Sequence, residues 1–139
     1  MTIAREIMHA GTTCVQENET LQDAARRMSE LGVGALPICG PDDRLHGIIT
    51  DRDIVVKCLA RGKDPRTMTA GQLAQGKPIT IEAQADTDQV LRAMEEHRIR
   101  RLPVIDNHRL VGMISEADLA RRLPDEQVGH FVEAVCATT

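Results

Sequence analysis

Two short stretches of this chain set a hydroxyl three residues ahead of a carboxylate, each directly after an apolar run. They are Gly47-Ile48-Ile49-Thr50-Asp51-Arg52-Asp53 and Gly112-Met113-Ile114-Ser115-Glu116-Ala117-Asp118. Two chemistries fit the pairs Thr50 with Asp53 and Ser115 with Asp118. As a helix cap, the hydroxyl accepts a free backbone N–H and the acid reaches back to the N–H of the capping residue, which contributes about 1 kcal/mol. As a binding site, the carboxylate accepts hydrogen bonds from both hydroxyls of a ribose while Ser or Thr meets a neighbouring oxygen. One hydroxyl can serve both purposes.

A cationic pair lies close by in sequence. Arg100 and Arg101 end the run His97-Arg98-Ile99-Arg100-Arg101, immediately before Leu102-Pro103-Val104. A guanidinium fork donates two parallel hydrogen bonds to an oxyanion, which suits phosphate. A solvated basic helix end, favoured by the helix dipole, explains the same residues equally well. The first stretch has Gly34-Ala35 at the corresponding place and lacks this clamp. Arg52, at the start of a helix, reads as an exposed arginine.

The four cysteines, Cys14, Cys39, Cys58 and Cys136, form no C-x-x-C pair, so no metal site is expected. Cys14 and Cys39 fall on neighbouring parallel strands about 4.8 Å apart, near enough for a disulfide if they are level. Two small buried thiols fit the same positions. Cys58 and Cys136 lie on apolar helix faces and are expected in the core. The five histidines show no H-x-x-x-H spacing. No glycine-rich phosphate loop, dinucleotide fingerprint or flagged nucleophile appears, and no enzymatic activity is expected.

The elements that position these groups repeat. At a shift of 66, Met28 falls on Met94, Leu36 on Leu102 and Pro37 on Pro103; at a shift of 65, Arg44-Leu45 fall on Arg109-Leu110, Gly47 on Gly112 and Asp53 on Asp118. Each copy reads as strand, helix, strand, strand, helix. The first strands are Thr13–Val15 and Ile79–Ile81, and the first helices open with the cap spacings Thr20/Asp23 and Asp86/Gln89. Leu21, Ala24, Ala25, Met28 and Leu31 share one helix face, as do Val90, Leu91 and Met94. The second helices carry Ile54, Val55, Cys58 and Leu59, and Leu119, Ala120 and Leu123. The expected fold class is α/β (α+β), two β-α-β-β-α units packed as a pseudo-twofold pair. The expected boundaries are 5–61 for the first unit, 62–71 for a Gly- and Pro-containing linker and 72–123 for the second unit. Residues 124–139 are expected to form a short helix, with Val128, Phe131, Val132 and Val135 on one side, and a tail.

Composition narrows the function. A net charge of −4 over 139 residues disfavours nucleic-acid binding, which needs a basic face. A single Phe and no Tyr or Trp leave no stacking platform for bases. No apolar run approaches the roughly 18 residues of a membrane span, and the N-terminus lacks a signal-peptide core. A cytoplasmic location with reduced thiols is expected.

The capped helix, the hydrophobic-Pro-hydrophobic strand and the Gly-hydrophobic-hydrophobic-[Ser/Thr]-x-x-Asp run, all occurring twice, resemble the CBS domain. The tandem over residues 5–123 is similar to a Bateman module. That resemblance implies a regulatory module binding an adenosyl compound (AMP, ADP, ATP or S-adenosylmethionine) between its units. It also implies a homodimer and a separate protein partner, in a stress or low-oxygen response. It implies ligand contacts at Thr50, Asp53, Arg100, Arg101, Pro103, Ser115 and Asp118, with Thr80 near adenine; Cys14 replaces that Thr in the first copy. The competing expectation is a redox or stress protein that binds no nucleotide and uses Cys14 and Cys39.

Overall fold

A computed structural model describes residues 1–11 and 13–137. The helices are α1 (Ala4–Ile7), α2 (Leu21–Leu31), α3 (Asp51–Asp53), α4 (Thr87–His97), α5 (Glu116–Arg122) and α6 (Asp125–Cys136). The strands are β1 (His9–Ala10), β2 (Val15–Gln16), β3 (Ala35–Cys39), β4 (Leu45–Thr50), β5 (Ile81–Glu82), β6 (Arg101–Asp106) and β7 (Arg109–Ser115). α3 runs on into a π-helical turn, Ile54–Cys58, and a 3-10 turn, Leu59–Arg61. Among the described residues no helix is long and apolar enough to cross a membrane.

The repeat folds as its spacing predicts. β2 runs parallel to β3, which pairs antiparallel with β4. β5 runs parallel to β6, which pairs antiparallel with β7. Corresponding residues hold corresponding places: Val15 pairs with Ile38, and Ile81 with Val104. Both first helices carry the reciprocal caps read from sequence, Thr20 with Asp23 and Asp86 with Gln89. α2 ends at Gly32 in the left-handed conformation, and α4 at Arg98 in the same conformation. Glycine reaches that geometry without the steric cost arginine bears.

The units are not divided where the sequence places the boundaries. One compact unit comprises residues 13–78, and the other joins residues 1–12 to 79–139. In that division residues 62–71 lie within the first compact unit, and the chain's first residues pack with the second repeat. The reason is a pair of exchanged lead segments. Ala70 and Gly71 donate backbone hydrogen bonds to Glu19 and Glu17 of the first repeat, while Ala4 and Arg5 donate to Ala85 and Ala83 of the second. These contacts match one for one at the shift of 66. Ala4 and Ile7 are fully buried in one core, and Ala70 and Leu73 are buried in the other.

Each core is one cluster. Val15, Leu21, Ala24, Ile38, Ile49 and Cys58 build the first. Val90, Met94, Leu102, Val104, Ile114, Leu119 and Phe131 lie in the second, so α6 closes that unit through Phe131 and Val135. Several expected core residues are instead outside. Ala25, Leu31, Val55, Leu59, Ala120 and Val132 are exposed. In the second helix of the first repeat, the π turn keeps Ile54 and Cys58 inward and leaves Val55, Val56 and Leu59 outward. Cys136, at the end of α6, is likewise exposed rather than in the core.

β1 pairs antiparallel with β7, setting Ala10 opposite Gly112. A Cβ on Gly112 would stand 2.8 Å from the His9 carbonyl oxygen and collide with the Met8 sulfur. On Gly47, its counterpart, a Cβ would come within 3.1 Å of the Gln75 nitrogen. Each repeat's glycine therefore admits the other repeat's lead segment. Gly112→Ala is expected to lift β1 from β7 and cost about 1–3 kcal/mol, read as a lower denaturation midpoint in urea. An unchanged midpoint would show that β1 packs otherwise.

Candidate functional site

The best-formed constellation lies where β7 runs into α5. Ser115 is the extended N-cap of α5, and its Oγ accepts the Asp118 N–H. Asp118 answers through Oδ2, which accepts the Ser115 N–H at 2.8 Å and the Ser115 hydroxyl at 3.0 Å. The capping chemistry is therefore present. It does not use up the carboxylate, since among the described residues Oδ1 meets only Arg121, at 3.3 Å. Asp118 is also buried, at 5% exposure, which capping does not require and which is rare for an aspartate.

Burial alone would raise the Asp118 pKa. Hydrogen bonds from Ser115 and His9 outweigh it, and the carboxyl is held below its ordinary value. His9 comes from β1, and its Nδ1 lies 2.8 Å from Asp118 Oδ2. Nothing in the local sequence ties these two residues, which stand 109 positions apart. The signal was the repeat itself: carrying the shift of 66 back past residue 5 aligns Ala4 with Ala70, and His9 with Gln75.

Sheet topology brings the other expected residues of the second repeat to the same end. Arg101 is in register with Ser115, and Pro103, buried, lies opposite Met113. Thr80 is half-buried one residue ahead of β5, level with Pro103 by the parallel register of β5 and β6. Arg101, half-buried, has no ion pair among the described residues. Arg100 is exposed and engaged: it donates to Glu116 at 3.2 Å and to the Cys136 sulfur at 3.4 Å. The two arginines are therefore not an equivalent pair. Arg101 has no partner among the described residues, and Arg100 is held against α5 and α6.

The first repeat shares the cap and differs around it. Thr50 and Asp53 form the same reciprocal cap, at 3.0 Å in both directions. Lys57 faces Asp53 at 3.4 Å, and no histidine covers it among the described residues. Cys14, in the place of Thr80, forms a disulfide with Cys39 across a Cα–Cα distance of 5.7 Å. Arg27 donates to the Cys14 carbonyl at 2.9 Å and to Glu19 at 2.6 Å, which fixes the turn into β2.

The depressed Asp118 pKa has a definite sign for stability. A carboxyl held lower in the folded than in the unfolded chain stabilises the fold fully above the unfolded value. That contribution disappears as pH falls through the folded value. Urea midpoints are expected to hold from pH 6 to about 5 and then fall steeply toward pH 2.5, with a shallower fall in Asp118→Asn. An identical acid profile in the variant would show that another carboxylate controls it.

Comparison with known proteins agrees with this architecture. The CBS domain family model matches residues 4–59 and 70–125. Hypoxic response protein 1 of Mycobacterium tuberculosis is 57% identical over 137 residues, covering 99% of this chain and 96% of that protein. The CBS domain-containing protein YhcV of Bacillus subtilis is 34% identical over 135 residues, covering 93% and 91%. Among solved structures, a hypoxic response protein with two coordinated zinc ions superposes with a TM-score of 0.81 at 59% identity, covering 88% of this chain and all of that one. CBSX2 in complex with AMP shares the fold, with a TM-score of 0.74 at 21% identity, covering 87% and 95%. With both repeats matched and a near full-length relative at this identity, the chain belongs to the CBS-domain family as a tandem pair.

Proposed function

We propose that this chain is a cytoplasmic, non-catalytic sensor whose second-repeat site binds an adenosyl nucleotide and signals occupancy to a protein partner, the chain acting as a homodimer. The observation that carries the reading is the buried Asp118, whose Oδ1 meets only Arg121 among the described residues, at the sheet end where Arg101, without an ion pair among the described residues, is in register with Ser115. A carboxylate suits the vicinal hydroxyls of ribose and a guanidinium suits phosphate, so the pair reads as the two ends of one nucleotide. Thr80 and Pro103, at the same sheet end, stand where adenine would lie. An AMP complex is known for the fold relative CBSX2, which supports the ligand class. Thr50 and Asp53 have the ribose geometry too, but their repeat offers no arginine at Gly34-Ala35 and has the Cys14–Cys39 bridge in the place of Thr80. They form the weaker site.

Zinc is held by the relative of known structure. No group of three His, Cys, Asp or Glu side chains gathers among the described residues of this chain.

A nucleotide at about 100 times its dissociation constant adds about 2.7 kcal/mol to stability. AMP or ATP in excess is thus expected to raise the melting temperature by roughly 5–10 °C. Ser115→Ala with Asp118→Ala should abolish that rise while circular dichroism shows the fold retained. No rise with any adenosyl compound at millimolar concentration would refute the nucleotide reading.

The disulfide favours a second reading, a redox response housed in the first repeat. In the cytoplasm such bridges are usually transient and sensing. A loop of this length, 25 residues apart in sequence, stabilises by about 3 kcal/mol. Alkylation followed by mass spectrometry should label Cys136 at once, and Cys14 and Cys39 only after reductant, with a matching drop in stability. Ready labelling of both under oxidising conditions would count against this reading.

A further inference from the structure

The Asp118 carboxylate is covered by a residue from the far end of the chain. Three donors converge on Oδ2: the Ser115 N–H at 2.8 Å, the Ser115 hydroxyl at 3.0 Å and His9 Nδ1 at 2.8 Å. An ionised carboxylate only accepts hydrogen bonds, so Nδ1 carries the proton. With about two lone-pair sites per oxygen, Oδ2 is saturated, while among the described residues Oδ1 has only Arg121 at 3.3 Å. A vicinal diol that uses both oxygens therefore has to take the place of one donor. The two from Ser115 belong to the α5 cap and are costly to lose. His9 is the donor that can leave: its side chain is 48% exposed, and its strand is held to β7 by backbone pairing that a side-chain rotation does not disturb.

The geometry points to His9 as a latch on the ribose acceptor, closed while Nδ1 holds Asp118 and open when a nucleotide with both ribose hydroxyls free takes that oxygen. This rests on the nucleotide reading above and adds to it a residue that belongs to neither repeat's motif. The corresponding carboxylate, Asp53, meets Lys57, and Gln75 stands in the place of His9, so the latch is confined to the arginine-bearing site. The latch also gives binding an outlet. A nucleotide that turns His9 away alters the surface at β1, so a partner reading residues 8–10 reads occupancy.

Titration calorimetry of the full chain with AMP and with 2′-deoxy-AMP tests this. A closed latch lowers the apparent affinity by the fraction of molecules that are open. His9→Ala is therefore expected to bind AMP about tenfold more tightly than the native chain, the ordinary weight of a hydrogen bond to a charged group. His9→Gln, which keeps a neutral donor, should fall between. The gain should be small for 2′-deoxy-AMP, whose single remaining hydroxyl can use Oδ1. AMP binding to the native chain with equal or weaker binding to His9→Ala would overturn the latch and leave the nucleotide reading standing. An equal gain with the deoxy nucleotide would overturn it as well. Binding by neither protein would overturn both proposals.

Discussion

Each half of this protein is completed by a segment borrowed from ahead of the other half's repeat. The backbone bonds of Ala4 and Arg5 to Ala85 and Ala83, repeated by Ala70 and Gly71 on Glu19 and Glu17, impose that arrangement. These N–H groups would otherwise be unpaired beside buried apolar residues, a cost comparable to a lost hydrogen bond each. Much else follows from the exchange. Gly47 and Gly112 have to lack a side chain, because the borrowed backbone passes within 3.1 Å of where a Cβ would stand. Ala4 and Ala70 are both fully buried. His9 reaches Asp118 only because residues 1–12 fold with the second repeat.

The two sites then diverge by a few substitutions on a common frame. Both repeats end their third strand with a hydroxyl cap and an aspartate, since the helix that follows needs its N-terminus satisfied whatever else the site does. Both aspartates meet a cation from the helix they open, Lys57 on Asp53 and Arg121 on Asp118, but beyond that the repeats part. The first ties Cys14 to Cys39. The second buries Asp118, keeps Thr80 and sets Arg101 level with Ser115. Duplication supplied two equivalent positions, and side-chain identity alone separates a covalently braced half from one with an open carboxylate.

Much of this was legible in the residues. The strand order, the reciprocal caps at Thr20, Asp86, Thr50 and Ser115, and the glycine before each [Ser/Thr]-x-x-Asp depend on local spacing, and local spacing is what a sequence displays. The packing of each lead segment with the other repeat was not legible. Residues 3–10 are too short for a periodic pattern, and Gly62 with Pro65 resembles a connector although the residues just after it fill a core. The exposed Val55 and Leu59 were hidden by the π turn, which adds a residue per turn and shifts the face by one position. Arg100 looked equal to Arg101 until Glu116 and Cys136, brought near by tertiary packing, were seen to hold it. The Cys14–Cys39 bridge was open on spacing alone, and it forms although Cys14 lies just ahead of β2, where Gln16 and not Cys14 is opposite Cys39.

The exchange of lead segments is tested most directly by native-state hydrogen exchange at single-residue resolution. The amides of Ala4 and Arg5 should exchange with the same protection as core amides of the second repeat, such as Val90, and those of Ala70 and Gly71 with the protection of the first repeat's core. Exchange of Ala4 and Arg5 at the rate of a fraying terminus would contradict the account.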